Sequence, residues 1–448
     1  MGRYGIFERK AVSEENEADK ANKTNKADKE SILERKAANE ANKTNKAGKK
    51  VYLAEKDRIM KAWILHEVNK IHFEELERPV PGRDEVLVAV KAAGICGSDI
   101  PRIYKTGAHK HPLVPGHEFS GVVEAIGTDA DVAWQGKRVG IFPLIPCRNC
   151  LPCKRKQYEM CRYYDYLGSR RNGGFAEYAA VPAECLVELP DNVSFAEAAM
   201  LEPMAVAVHA MRRAFPEMRD AKPAAMQGTQ DIAGTVVVCG LGTIGLLLLM
   251  LLLERRAGEA NHPERRNTSA HGSGTALDTG QADGDILVIG NKDFQKRMVL
   301  ELGIPEDAYC DSRVQDVGQW LTERTGNRGA DVYFECVGKN ETLRLAVDNA
   351  APGGRICLVG NPYTDMQLEK SVYWKILRNQ LTLMGTWNSS FTREAWDDWA
   401  YVLELLSRKR VMPEKLITHR FPLAELEKGF QIMRDKSEDY VKIMSFLS

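Results

Sequence analysis

Val236-Val-Val-Cys-Gly-Leu-Gly-Thr-Ile-Gly245, near the middle of a 448-residue chain, runs straight into the leucine-rich segment Leu246 to Leu253. A short apolar run closed by glycine reads as a buried strand, and the leucines read as a buried helix. The glycines of the G-x-G-x-x-G spacing have separate uses. Gly240 permits the tight turn, Gly242 lets the backbone approach a pyrophosphate, and Gly245 allows helix and strand to pack closely. The helix N-terminus then faces the phosphates. The pattern alone is common; a strand before it and a helix after it make it specific. Thr235 to Leu253 is also an uncharged run of 19 residues, close to the ~20 that span a bilayer. The glycines fall where a strand should turn into a helix, and nothing else in the chain supports a membrane span.

Working outward, residues 255–284 are polar, glycine-rich and without periodicity, which reads as a surface loop insertion. A strand resumes at 285–289 and ends on Gly290-Asn291-Lys292, where a carboxylate would bind the adenine-side ribose hydroxyls. A small residue followed by a cation leaves room and charge for a 2′-phosphate, pointing to NADP; Asp293 keeps NAD open. Helix at 294–302, strand at 331–336, helix from Glu341, strand at 354–360 and strand at 381–386 continue the alternation. This is a doubly wound α/β pattern. A helical tail from Thr392 to Arg408 and beyond returns towards the upstream half.

Upstream, apolar or alternating runs at 61–65, 85–91, 121–127 and 137–142, with glycine and proline between them, predict a small β-barrel-like unit. Between these strands lie Gly94-Ile-Cys-Gly-Ser-Asp99 and Gly116-His-Glu-Phe-Ser-Gly121. Cys96, His117 and Glu118 offer a thiolate, an imidazole and a carboxylate, a set that suits Zn²⁺ with a fourth position open. Taken singly, a buried thiol and a satisfied histidine account for them equally well. Cys147-x2-Cys150-x2-Cys153-x7-Cys161 can close a tetrahedron around a structural zinc. An iron–sulfur cluster and a zinc-ribbon nucleic-acid module are the rivals; the long last gap and the flanking barrel strands favour structural zinc. Arg170 and Arg171, in a glycine-rich loop, are either a clamp for an anionic substrate group or solvated surface residues. Residues 196–210 read as helical, broken at Glu202-Pro203. A carboxylate in that apolar run is costly to bury unless paired or metal-bound; otherwise Glu202 ends a helix facing water.

Residues 1–58 are a different material. Ala21-Asn-Lys-Thr-Asn-Lys-Ala27 recurs at 41–47, and aromatics are scarce, so this part reads as a disordered low-complexity extension. It lacks the apolar core of a signal peptide and is too acidic for a transit peptide. Over the whole chain Lys+Arg and Asp+Glu are both 62, so no basic field invites nucleic acid or an acidic membrane. Ten cysteines, half of them in metal-like spacings, fit a reducing cytoplasm better than a disulfide framework.

In this order, Cys96-Gly-Ser-Asp, Gly116-His-Glu, the four-cysteine lobe and the glycine fingerprint resemble the zinc-dependent medium-chain dehydrogenase/reductase superfamily. Cys96-Gly-Ser-Asp-Ile-Pro-Arg-Ile103, Gly107-Ala-His109 and Gly168-Ser-Arg-Arg-Asn-Gly-Gly-Phe-Ala-Glu-Tyr178 most resemble its galactitol-1-phosphate 5-dehydrogenase branch, with sorbitol and threonine dehydrogenases near. The resemblance implies a GroES-like β-barrel catalytic domain at 59–205 carrying the metal lobe 147–161. A Rossmann NAD(P)-binding domain with a doubly wound parallel sheet at 206–384 and a C-terminal return at 385–448 complete it. It implies Cys96, His117, Glu118 and Glu202 around a catalytic zinc, and Cys147, Cys150, Cys153 and Cys161 around a structural one. Asp99 would orient His117, and Ser98 would pass the substrate proton outward. Pro101 stands where several relatives carry a relay histidine. Gly240, Gly242, Thr243, Ile244, Gly245, Asn291, Lys292, Val337 and Val359 would line NAD or NADP. The implied reaction is reversible hydride transfer from a secondary alcohol of a polyol, such as a polyol phosphate, to NAD(P)⁺ in a cytoplasmic homo-oligomer. A sorbitol-, threonine- or other small-alcohol dehydrogenase, or a non-enzymatic dinucleotide- and zinc-binding protein, is the alternative.

Overall fold

The computed structural model describes residues 58–218, 234–260, 285–362, 364–394 and 397–447. Residues 1–57 of the low-complexity extension and the 261–284 part of the insertion lie outside the described residues. Two sheets organise the rest.

The first is a six-stranded parallel sheet in the order Tyr309–Asp311, Ile286–Gly290, Val236–Cys239, Ala330–Glu335, Ala350–Leu358, Thr382–Gly385. In chain order this is 3-2-1-4-5-6, whose order reverses beside Val236–Cys239 and opens a crevice at the strands' C-terminal ends. All four residues of Val236–Cys239 are buried. The helix Thr243–Ala260 follows, and Leu246 to Leu249, Leu251 and Leu252 are 0% exposed. Burying each leucine contributes about 1.5–3 kcal/mol, so the run serves this core. Among the described residues no helix is long and apolar enough to cross a membrane.

Two expectations are corrected here. The helix Thr243–Ala260 continues past 255, into the stretch read as a loop. There Glu254 pairs with Arg410 at 2.6 Å and Arg255 lies over the Phe215 ring, contacts between distant segments that local polarity does not reveal. The helical break falls at Met200 rather than at Glu202-Pro203, between Phe195–Ala199 and Leu201–Ala214. Proline in a first helical turn lacks an N–H that would be unpaired anyway, so Pro203 starts the second helix rather than breaking the first. The short strand Tyr309–Asp311 has no alternation over its three residues and escapes a periodicity reading.

The second sheet has the order Ile417–Pro422, Lys442–Phe446, Glu85–Ile95, Glu118–Ile126, Arg138–Ile141, Leu186–Glu188, with Tyr178–Pro182 also pairing with Glu85–Ile95. Strands from late in the chain thus complete a sheet begun by Glu85–Ile95. The two sheets meet where the Thr243 hydroxyl donates to the Val441 carbonyl at 2.6 Å.

Candidate active site

Cys96 and His117 reach one point because Glu85–Ile95 and Glu118–Ile126 are antiparallel neighbours, with Gly94 opposite Glu118. Cys96 leaves the end of the first strand as His117 arrives at the start of the second. One ligand atom from each of Cys96, His117 and Glu118 lies within 4.8 Å of the others. Thiolate, imidazole and carboxylate converging in a buried place fit a zinc ion. Asp99 is fully buried behind them: its Oδ2 accepts from the Cys96 amide at 3.0 Å, and its Oδ1 lies 3.5 Å from His117 Nδ1 and pairs with Arg102. His117 Nδ1 has no hydrogen-bond partner closer than this. Burial opposes the His117 cation, yet the charges of Asp99 and Cys96 outweigh it and hold its pKa well above the ordinary value. For Asp99 burial acts upward, and His117 and Arg102 overcome it, so its pKa is lowered. The carboxylate is set to fix the ring's orientation, as outer partners of metal-bound histidines do.

Glu118 and Glu202 have different surroundings. Glu118 Oε2 pairs with the buried Lys442 ammonium, which also donates to the Ile95 carbonyl at 3.1 Å. A side chain at Gly94 would collide with both: a Cβ there would lie 2.6 Å from Glu118 Oε2 and from Lys442 Cε. Glu202 lies outside the mutual 4.8 Å set but is close enough for the charges of His117 and Glu118 to act on it. It is buried, and its Oε1 accepts from the Tyr166 hydroxyl at 3.1 Å. Burial raises its pKa to about 7, with His117 opposing and Glu118 reinforcing the shift. The solvent-facing alternative for Glu202 therefore does not hold. Ser98 is half-buried on the turn beside Cys96, and Pro101 closes the short helix Asp99–Pro101.

The second metal-like group is Cys147, Cys150, Cys153 and Cys161, again within 4.8 Å of one another. Cys150 and Cys153 sulfurs are 3.4 Å apart; Cys147 to Cys153 and Cys150 to Cys161 are both 3.9 Å. Tetrahedral Zn–S bonds of 2.3 Å give S···S edges of about 3.8 Å, so the donors fit a closed zinc site. None of the four forms a disulfide. The backbone N–H of Arg162 is the main cause of a Cys150 pKa lowered to about 6, while burial pushes Cys153 up to about 12.

The glycine turn opens at the crevice of the parallel sheet. Gly240 has φ +98°, and a Cβ there would press on Val337; a Cβ on Gly245 would lie 1.9 Å from the Gly240 carbonyl oxygen. Gly242 is exposed with open space above it. Val337 and Val359 follow the ends of the two next strands, at the same edge. At the end of Ile286–Gly290, a Cβ on Gly290 would meet the side-chain ends Tyr309 Oη at 2.8 Å and Gln295 Oε1 at 3.0 Å, so a larger residue there would need these side chains to shift. Asp293 is paired with Arg313, which also holds Asp311. Asn291 is exposed and Lys292 Nζ lies 3.4 Å from Asp439.

Residues 82–191 match the alcohol dehydrogenase GroES-like domain, and residues 277–408 match the zinc-binding dehydrogenase domain. Galactitol 1-phosphate 5-dehydrogenase of Escherichia coli K12 is 32% identical over 353 residues, covering 79% of this chain and 89% of that protein. The chain belongs to the zinc-dependent medium-chain dehydrogenases. The crystal structure of galactitol-1-phosphate dehydrogenase from E. coli superposes with a TM-score of 0.71 at 28% identity, covering 87% of this chain and all of that one. An alcohol dehydrogenase of E. coli CFT073 complexed with NADH gives 0.71 at 26% identity, over 87% and 100% of the two chains. The protein is thus an oxidoreductase of a zinc- and NAD(P)-using family, and the non-enzymatic alternative falls away.

In this dehydrogenase the paired arginines separate. Arg171 binds Glu85 and lies 3.7 Å from Asp165, so it is no substrate clamp. Sequence reasoning missed Tyr166, whose ring is 5.7 Å from that of His117 and whose hydroxyl also lies 3.3 Å from Asn388 Oδ1. It missed Lys442 too, although a lone cation among the apolar residues Val441, Ile443 and Met444 is a visible signal.

Proposed function

We propose that this dehydrogenase oxidises a secondary hydroxyl of a polyol phosphate to the ketose phosphate, with NADP⁺ as the preferred coenzyme. The observation carrying the substrate class is the 32% identity with galactitol 1-phosphate 5-dehydrogenase along 89% of that enzyme. The coenzyme reading is supported by a glycine instead of a carboxylate at the end of Ile286–Gly290, by Asp293 being turned to Arg313, and by the cation Lys292 two residues on, 3.4 Å from Asp439.

Cys96, His117 and Glu118, with Glu202 adjoining, are the residues that would hold the catalytic zinc, and the four-cysteine lobe would hold the structural one. When bound, the catalytic zinc supplies Lewis acidity that lowers the pKa of the reacting hydroxyl. The chain's own residues do the rest. Asp99 keeps His117 in one orientation, Lys442 balances the charge of Glu118, and Tyr166 fixes the Glu202 carboxylate. Ser98, on the turn beside Cys96, would hand the hydroxyl proton outward, and Pro101, with no donor or acceptor on its ring, cannot extend that path. Gly240, Gly242, Thr243, Ile244 and Gly245 present the helix N-terminus to the pyrophosphate. Asn291, Lys292, Val337 and Val359 border the remaining dinucleotide.

The test is kcat/KM for galactitol 1-phosphate, sorbitol and threonine, each with NAD⁺ and NADP⁺. A phosphorylated polyol turned over with NADP⁺ well above the others is expected. Equal or better turnover of sorbitol or threonine sinks the substrate reading, and a preference for NAD⁺ sinks the coenzyme reading.

A further inference from the structure

The loop between the cysteine lobe and the strand Tyr178–Pro182 is locked to the active site. Its Gly168 has φ +78°, and a Cβ there would lie 2.5 Å from the carbonyl oxygen of Gly116, the residue before His117. The amides of Arg170 and Arg171 both donate to the Tyr166 carbonyl, at 2.9 and 3.0 Å. What this loop presents is therefore held in register with His117 rather than left to wander.

It presents Arg170. The guanidinium lies 4.7 Å over the Tyr164 ring, Tyr164 packs edge-on against Tyr166 at 6.1 Å, and Tyr166 packs against His117. One continuous aromatic wall thus leads from the catalytic donors to this cation. Arg170 Nε is buried without a hydrogen-bond partner. Among the described residues no carboxylate lies within ion-pair distance of it, whereas Arg171 and Arg102 both have one. A partly buried guanidinium without an anion loses hydration that an aromatic contact repays only in part. Lying over the Tyr164 ring, the guanidinium keeps its two terminal nitrogens for bidentate contact, the geometry that phosphate oxygens match. His109 stands in the same field: some burial, then the charges of Arg170 and Arg102, hold its pKa below the ordinary value.

We propose that Arg170 is the anchor for the substrate's phosphate group and sets the preference for a phosphorylated polyol over the free one. This rests on the polyol-phosphate reading above. The wall of Tyr164 and Tyr166 spaces the anchor from the reacting hydroxyl, so that a hydroxyl several carbons from the phosphate is the one presented.

The test compares the full-length, zinc-loaded enzyme with its Arg170→Gln, Arg170→Lys and Arg171→Gln variants. The readouts are kcat/KM for a polyol phosphate and its free polyol, and competitive inhibition by inorganic phosphate. Losing a charged hydrogen-bond pair costs about 10- to 100-fold. Arg170→Gln should lower the phosphorylated-to-free ratio by that factor, mainly through KM, and abolish phosphate inhibition. Arg170→Lys should restore part of both, which a folding defect would not do, and Arg171→Gln should leave the ratio unchanged. If the wild type prefers the phosphate and Arg170→Gln keeps that preference, the anchor is wrong and the substrate reading survives. If the wild type shows no such preference, the substrate reading fails. The anchor then fails with it unless inorganic phosphate still competes in the wild type and not in Arg170→Gln.

Discussion

Asp398 shows what one buried charge demands of its surroundings. It is 0% exposed, lies 2.8 Å from His209 Nδ1, accepts from the Ser390 amide at 2.6 Å, and has Arg212 3.3 Å away. Burial disfavours the His209 cation, but its hydrogen bond to Asp398 and that residue's charge prevail, raising its pKa above the ordinary 6.5. A raised folded-state pKa contributes stability that is complete below the unfolded value and is lost as pH climbs through the folded one. The stability gap between wild type and His209→Gln should therefore be widest below pH 6.5 and narrow as pH rises above it, read from denaturant midpoints at several pH values. A gap that widens with pH would contradict the pairing. At the zinc-type site, Asp99→Asn keeps the shape and removes the charge. Outer partners of metal ligands are worth about 10- to 100-fold in metal affinity or activity, and we expect a loss of that size in kcat/KM. The two metal-like groups predict two zinc ions per chain. Cys96→Ser should lower that to one with little change in thermal midpoint, and Cys153→Ser should lower it to one while destabilising the lobe, by elemental analysis and calorimetry.

The strand, turn and helix around Gly240 make a sharper prediction than any single residue, because its glycines do different work. Gly245→Ala would put a methyl 1.9 Å from the Gly240 carbonyl oxygen. Such overpacking costs about 1–3 kcal/mol or more, so this variant should unfold earlier with or without coenzyme. Gly242→Ala meets nothing within 4 Å. Its stability should stay within ~0.5 kcal/mol of wild type, while KM for the coenzyme rises because the methyl occupies the pyrophosphate's approach. A matching loss of thermal midpoint in both variants would remove the distinction. The same element shows what a sequence discloses. The strand, the turn and the leucine helix were legible because their meaning is local, and so were the four cysteines and the Cys96, Asp99, His117 and Glu118 cluster, which lie in short segments. Tyr166, Asn388 and Lys442 were not, because each is an ordinary residue made functional by the pairing of distant segments. The end of the Gly245 helix was misplaced for the same reason: its polar last turn is held by Arg410 and Phe215.

Over the whole molecule, the parallel sheet ends on the strand Thr382–Gly385, an edge with hydrogen-bonding groups unclaimed by any described strand. Beside it in sequence the helix Lys370–Arg378 exposes Tyr373, Trp374 and Leu377 at 52%, 57% and 50%. Exposed edges and clustered large apolar residues mark association surfaces. We expect a dimer by light scattering, and expect Trp374→Glu to shift it towards monomer with the monomer's fold retained by circular dichroism. Persistence of the same oligomer would place the interface elsewhere. The union of Lys442 with Glu118 has a consequence in time as well as in space. The partners are 324 residues apart, which at about 5–20 residues per second is roughly 16–65 s of synthesis. For that interval the nascent barrel carries an acidic group with no counter-charge, and Ala92–Ile95 has no Lys442–Phe446 strand beside it. Ribosome-bound chains stalled before Lys442 should therefore be cut readily by protease at the barrel, while chains extended beyond it resist.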